Sequence, residues 1–266
     1  MSLINLLPQK IQKELSHKSL LKVISGLSNF DPQAVKKISE AAFLGGADLL
    51  DVACKPELVE SAIKISSLPI CVSSVEPKLF INSVKAGASL IEIGNYDSFY
   101  EEGITFSEEE VLNLTKQTKD ILPNVPLSVT VPHTIPIDKQ VDLAMKLVLE
   151  GADIIQTEGG KSSTPYNSGI QGLLEKSVPT LAATLAIHQE FEKQSIYIPI
   201  MSASGLSEVT CPLAISCGAS AVGVGSVVNK LDDLISMIAV VRGCLLYTSD
   251  SADEVRGVFV GCGGII

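Results

Sequence analysis

Four segments of the chain share one form: GADLLDVA from Gly46, GASLIEIG from Gly87, GADIIQTE from Gly151 and GASAVGVG from Gly218. Each follows a stretch with helical spacing of apolar residues, and each reads as a short apolar strand. The leading glycine suits a helix C-cap, where the backbone takes positive φ. Three further strands follow prolines, PICVSS from Pro69, PLSVTV from Pro126 and PIMSAS from Pro199, and LKVISG from Leu21 matches them without the proline. Interleaved by position, these make eight strands of two alternating classes. Helical patterns fill the gaps, one of them with Asp31 as N-cap and Pro32 at its first position. Apolar strands alternating with helices form a parallel sheet covered on both faces. An open doubly wound sheet gives no reason for a fourfold, two-class repeat, whereas a (βα)8 TIM barrel requires one. The expected fold is therefore α/β, a single-domain TIM barrel over residues 19–242, preceded by a helical lead-in over 1–18.

The same repeat assigns faces, because successive side chains of a strand alternate sides. Leu49, Leu90, Ile154 and Ala221 should point inward, followed by Asp51, Glu92, Gln156 and Gly223, then Ala53, Gly94, Glu158 and Gly225. Leu50, Val52, Ile91, Ile93, Ile155, Thr157, Val222 and Val224 should face the helices. Polarity thus gathers in the C-terminal half of the barrel interior, where active sites of this fold sit. Unpaired carboxylates are costly to bury. Asp51, Glu92 and Glu158 therefore read either as a salt-bridge network with Lys22 or as catalytic acids and bases. Lys22 is expected to pair with Asp51 or Glu92, and a Schiff-base role would require its pKa to fall. His133, between prolines in VTVPHTIPI just after the fifth strand, is a candidate proton shuttle or a turn-capping residue.

The ends of the seventh and eighth strands carry SASGL (Ser202 to Leu206) and GVGS (Gly223 to Ser226). TIM barrels that take phosphorylated ligands commonly hold the phosphate at these two turns. Ser202, Ser204, Gly205, Gly225 and Ser226 are therefore the expected phosphate-binding residues, the glycines admitting an anion to the backbone and the serines donating hydroxyls. Two lookalikes fail. GGKSS ends like a Walker A loop, but Ile155 stands where its first glycine belongs, although Lys161 remains a candidate anion contact. GVGSVV has Val228 in place of the third dinucleotide-fold glycine and follows the last strand, not the first. No His/Cys cluster has zinc spacing, so no metal is assigned, and Asp51, Glu92, Glu158 and His133 give only a weak divalent-ion signal. The loops from Gly94 to Phe106, which carries Asn95 and Asp97, and from Glu158 to Gly172 are long enough to form lids or substrate walls.

Thirty acidic against 20 basic residues leave a formal charge of −10, and no basic cluster appears, which argues against nucleic acid and anionic membrane as partners. The six cysteines form no C-x-x-C pair, and Cys54 and Cys71 lie in apolar runs, as reduced thiols do. The N-terminus lacks signal-peptide order and transit-peptide composition. The uncharged stretch from Val209 to Asn229 is broken by Pro212 and by glycines, so it reads as two short buried elements and not as a membrane span.

The strings KVISGL, ICVSS, EIGNYDSFY, VTVPHTIP, QTEGG and SASGL together resemble the hypothetical chloroplast open reading frame twenty-three family, over roughly Ser19 to Val241. That resemblance implies a TIM-like barrel in a plastid stroma or a cyanobacterial cytoplasm, and it implies no reaction. The residues themselves favour an enzyme acting on a small phosphorylated metabolite, of lyase, aldolase or isomerase type. The alternatives are a non-catalytic ligand sensor and an FMN-binding barrel, and no motif assigns a cofactor or an oligomeric state. From Gly243 the tail reads GCLLYTSDSADEVRGVFVGCGGII, and CLLYTSDSADE resembles translated sequencing-adaptor sequence. Residues 243–266 are accordingly expected to be non-native, to continue no helical period and to pack poorly, the true C-terminus being lost.

Overall fold

A computed structural model describes residues 2–160 and 163–261. Eight parallel strands, β1 (Leu20–Ile24), β2 (Leu49–Ala53), β3 (Ile70–Ser74), β4 (Leu90–Ile93), β5 (Leu127–Val131), β6 (Ile154–Thr157), β7 (Ile200–Ala203) and β8 (Ala221–Val224), pair in sequence order, and β8 closes on β1. Helix α1 (Gln9–His17) precedes the barrel. Around it run α2 (Pro32–Gly45), α3 (Pro56–Ser66), α4 (Phe80–Lys85), α5 (Asp97–Tyr100), α6 (Glu108–Ile121), α7 (Ile137–Leu149), α8 (Gly169–Lys193), α9 (Cys211–Ser216), α10 (Ser226–Asn229) and α11 (Leu234–Gly261). The fold is the α/β TIM barrel that the repeat requires.

The repeat works locally in two ways. Its first residues, Gly46, Gly87, Gly151 and Gly218, all have positive φ, between 90° and 112°, which ends the helix and turns the chain into the next strand. Where its third residue is aspartate, the carboxylate clamps the start of the preceding strand. Asp48 accepts from the Leu21 N–H at 3.0 Å, and Asp153 from the Leu127 N–H at 2.9 Å. At α2, Asp31 caps the Gln33 N–H at 2.9 Å with Pro32 at the first helical position.

Two apolar clusters arise from the alternation of faces. Outward residues such as Leu50, Val52, Ile91, Ile93, Ile155 and Val222 pack against the helices in the main core. Inward, Leu20, Leu49, Cys71, Leu90, Ile154, Met201 and Ala221 form a layer that α1 seals from below with Ile11 and Leu15. The bottom of the barrel is therefore closed and apolar, and the polar inward residues lie above it.

Three segments bear on the sequence reading, two departing from it and one agreeing. First, the helix after β6 begins at Gly169, inside the stretch read as a loop to Gly172, and Pro179 lies within it. Proline has no N–H for the carbonyl four residues back. That carbonyl, on Glu175, accepts instead from the Ser163 hydroxyl at 3.1 Å, which lets the helix continue and carries Lys176 to the top of the barrel. Secondly, and in agreement with that reading, the uncharged stretch resolves into α9 and β8, and no helix among the described residues is long and apolar enough to cross a membrane. Thirdly, the expected loose packing from Gly243 is not found over the next two turns. Helix α11 runs on without a break, Cys244 and Thr248 are fully buried, and Cys244 belongs to the main core. Cys262 lies outside the described residues, while the other five cysteines are free thiols. Ending the chain after Arg242 should therefore cost about 2 kcal/mol of stability, the scale of two small core side chains, read as a lower urea midpoint. An unchanged midpoint would show that Cys244 and Thr248 add nothing to the core.

Candidate functional site

The second inward layer is polar and wholly buried: Lys22, Asp51, Ser73, Glu92, Thr130 and Gln156. Lys22 Nζ lies 2.7 Å from Glu92 Oε2 and donates to Gln156 Oε1 at 2.6 Å. The Gln156 amide in turn donates to Glu92 Oε1 at 2.9 Å and to Thr130 Oγ1 at 3.0 Å. Asp51 is linked to this group through Ser73, whose Oγ also lies 3.4 Å from Glu92 Oε1. It accepts from the Ser73 hydroxyl at 2.5 Å and from Asn95 Nδ2 at 3.2 Å. Burial presses the Lys22 ammonium toward neutrality, yet the charges of Glu92, Cys71 and Asp51 outweigh it, and the pKa of Lys22 stands above its ordinary value. Burial drives Asp51 the other way, with Lys22 opposing and Glu92 assisting, and its pKa is pushed up to about 7. An amine held protonated favours the ion-pair role of Lys22 over the Schiff-base one. Lys22 is the buried cation of an ion pair.

Above this floor, at the C-terminal mouth, opens a cavity of about 440 Å³. One wall is formed by Ser204, Gly205, Gly225 and Ser226 from the turns after β7 and β8, with Lys176 of α8 and Lys230 beside them. The opposite wall carries Asn95, Asp97 and Glu158, and Gln156 forms part of the base. Of the five candidate catalytic residues, Glu158 alone lines this cavity; Lys22, Asp51 and Glu92 lie under it, reaching it only through Gln156 and Asn95. His133 stands behind Glu158. Its Nδ1 is 3.2 Å and its backbone N–H nitrogen 3.3 Å from Glu158 Oε1, which also accepts from the Tyr100 hydroxyl, and the Tyr100 ring meets the imidazole edge-on. Burial and the charge of Asp97 raise the pKa of Glu158, against the lowering effect of its bonds to His133 and Tyr100. A buried carboxyl with a raised pKa, held by two partners at one oxygen, is placed to exchange a proton with a ligand in the cavity.

Ser202, one of the five expected anion ligands, does not reach the cavity. Met201 and Ala203 are the inward residues of β7, and Ser202 faces α8, where its hydroxyl lies 2.8 Å from Thr184 Oγ1 and 3.5 Å from Thr157 Oγ1. Gly205 has a different reason from the one expected. With φ of 73° it lies against Gly160, where a Cβ would come within 2.5 Å of the Gly160 Cα, so the glycine pair lets two loops touch. Lys161 lies outside the described residues. Ser204 donates to Asp97 Oδ2 at 2.7 Å, tying the β7 turn to the loop after β4.

The divalent-ion signal also changes membership. Asp97, His133 and Glu158 each bring one ligand atom within 4.8 Å of the others, a set able to hold a divalent ion, while Asp51 and Glu92 belong to the floor network. Asp97 and Asn95 stand out in the sequence only as polar residues of a long loop. Their placement depends on Gly94, whose φ of 145° and contact with the Thr130 side chain exclude any other residue, and on Asn95 itself at φ 61°.

A family profile described as "Protein of unknown function (DUF561)" matches residues 6–253, running past Gly243. A curated relative from Cyanophora paradoxa, "Uncharacterized protein ycf23", is 44% identical over 233 residues, 86% of this chain and 92% of the relative. The protein of the same description from Porphyra purpurea is 38% identical over 229 residues, 86% of this chain and 84% of the relative. Among solved structures, (S)-3-O-geranylgeranylglyceryl phosphate synthase from Thermoplasma acidophilum, in complex with sn-glycerol-1-phosphate, superposes with a TM-score of 0.59 at 14% identity, over 90% of this chain and 98% of that one. The 2-keto-3-deoxy-6-phosphogluconate aldolase of Zymomonas mobilis, with 3-phosphoglycerate, gives 0.56 at 15% identity, over 89% and 96%. At such identity the likeness is one of fold.

Proposed function

The chain belongs to the DUF561 family, and from that premise we propose that it is an enzyme binding a small phosphorylated metabolite at the C-terminal mouth of the barrel and acting on it by proton transfer, in the manner of a lyase, aldolase or isomerase. One observation carries the reading: a single cavity has the turns after β7 and β8 with two lysines on one side and the buried carboxyl of Glu158 on the other. The phosphate group sits against Ser204, Gly205, Gly225 and Ser226. Lys176 and Lys230, the lysines among the described lining residues, supply positive charge there against Asp97, Glu101 and Glu158. Solved structures of this fold that hold sn-glycerol-1-phosphate and 3-phosphoglycerate support a phosphorylated ligand.

Glu158 is the group that meets the substrate and gives or takes the proton. His133 and Tyr100 fix its orientation through their bonds to Oε1, and His133 can relay the proton outward. Lys22 acts from below. Its charge polarises Gln156, whose side chain forms the base of the cavity, and favours negative charge developing on the substrate above. Asp51 and Glu92 keep Lys22 charged and in place. The location that goes with this reading is the plastid stroma or a cyanobacterial cytoplasm, supported by the relatives in Cyanophora paradoxa and Porphyra purpurea.

Calorimetric titration with a panel of phosphate monoesters tests the anion site. Lys230 is exposed, so Lys230→Glu should leave thermal stability unchanged while weakening every phosphate ester that binds, by about tenfold or more. Gly225→Asp puts a carboxylate in the same place, although its Cβ would stand 3.3 Å from the Ile24 carbonyl oxygen and require a small shift. Esters that bind the Lys230→Glu protein as tightly as the parent would remove the phosphate from this cavity.

A further inference from the structure

A second cavity, of about 450 Å³, opens on the other side of the mouth, above β1 to β3. It shares Leu27, Ser28, Ser98 and Glu101 with the first, so the two are neighbouring halves of one opening. Their chemistry differs. Both described lysines that line the mouth, Lys176 and Lys230, belong to the first cavity. There they offset Asp97, Glu101 and Glu158, whereas the second is lined by Glu76, Glu101 and Glu102 with no described lysine, and its other walls include Leu27, Phe30, Val75, Leu79 and Phe99. Phe30 is 55% and Leu79 44% exposed, two large apolar side chains held open to water at the rim of a cleft. Such surface is retained where something covers it. Carboxylates at the rim repel a second anionic group.

We infer that the second cavity is the subsite for an uncharged apolar group carried by the phosphorylated ligand, so that the substrate is a phosphate monoester with an aliphatic or aromatic extension and not a bisphosphate. The inference rests on the phosphate assignment under Proposed function. The phosphate lies by the turns after β7 and β8, the reacting centre lies between the halves beside Asn95 and Glu158, and the apolar end crosses Ser98 to lie between Phe30, Leu79 and Phe99. Apolar area removed from water there adds affinity that a short phosphate ester cannot reach.

Titration with methyl phosphate, hexyl phosphate and 1,6-hexanediol bisphosphate distinguishes the subsite from the phosphate site. Hexyl phosphate should bind at least about tenfold more tightly than methyl phosphate, an increment that a few buried methylenes supply, and the bisphosphate should lose that gain. Leu79→Gln and Phe30→Ser, both at exposed positions, should abolish the hexyl advantage and leave the methyl phosphate affinity as it was. If methyl and hexyl phosphate bind alike, or the advantage survives both variants, the apolar subsite is wrong while the phosphate site stands. If none of the three binds, the phosphate assignment fails and the subsite with it.

Discussion

Replacing Lys22 by methionine is expected to lower the unfolding free energy by about 3–5 kcal/mol at neutral pH, the cost of leaving a buried charge without its partner. Lys22 and Glu92 are both completely buried, 2.7 Å apart, and no water-facing route lets either side chain turn outward. The variant keeps the volume but leaves the Glu92 carboxyl facing Asp51 with only the Gln156 and Ser73 dipoles to oppose the charge. It should also raise the Asp51 pKa beyond about 7, because the lysine charge is what holds it down. The loss should therefore be smaller at pH 5 than at pH 8. Removing the charge on both sides, as in Lys22→Met with Glu92→Leu, should recover most of the loss, since a well-packed apolar pair stabilises a core about as well as a buried ion pair. Urea titration at the two pH values checks this. A single-variant loss below about 1 kcal/mol, the scale of a surface pair, would mean that Lys22 is not a buried cation.

The barrel and its floor were legible because they depend on period. A glycine-led octet repeated four times fixes where each strand begins, and once Leu49 is inward, Asp51 must be as well. The same rule, applied to β7, sends Ser202 outward as soon as Met201 is placed inside; the serine-rich string hides this, since it looks uniformly polar. What period cannot reach is the geometry of the loops. Asp97 joins Glu158 and His133 because Gly94 and Asn95 adopt positive φ and bend the chain over the mouth. Lys176 reaches the cavity because Ser163 satisfies the carbonyl that Pro179 abandons, and a proline within a helical pattern reads locally as the start of a helix. Residues whose position follows from alternation could be found in the sequence, whereas those placed by a single hydrogen bond across a loop could not. The cavity is built from both kinds. Its base is periodic and its walls are not.

The stability of the protein is expected to fall as pH rises from about 4 to about 7, by an amount that Asp51 largely sets. An aspartate with an unfolded pKa near 3.8 and a folded value of about 7 binds its proton more tightly in the native state throughout that interval. Stability therefore receives the whole contribution below the unfolded pKa and loses it as pH passes the folded one. Each pKa unit is worth about 1.4 kcal/mol, so the fall is on the order of 4 kcal/mol. Glu158, raised by burial, moves in the same direction. Most domains instead gain stability over this range, because their carboxylates are paired at the surface and depressed. Asp51→Asn keeps an acceptor for the Ser73 hydroxyl and removes the titration, so it should flatten the profile and leave the variant more stable than the parent at pH 8. Urea midpoints from pH 4 to 8.5 for both proteins provide the measurement, and parallel profiles would show that the proton is not on Asp51. The charge state of the floor also governs the cavity above it. As Asp51 ionises, the positive field of Lys22 at Gln156 is partly cancelled, and the affinity for a phosphate dianion, corrected for the ligand's own ionisation, should weaken between pH 6 and 8 more in the parent than in Asp51→Asn.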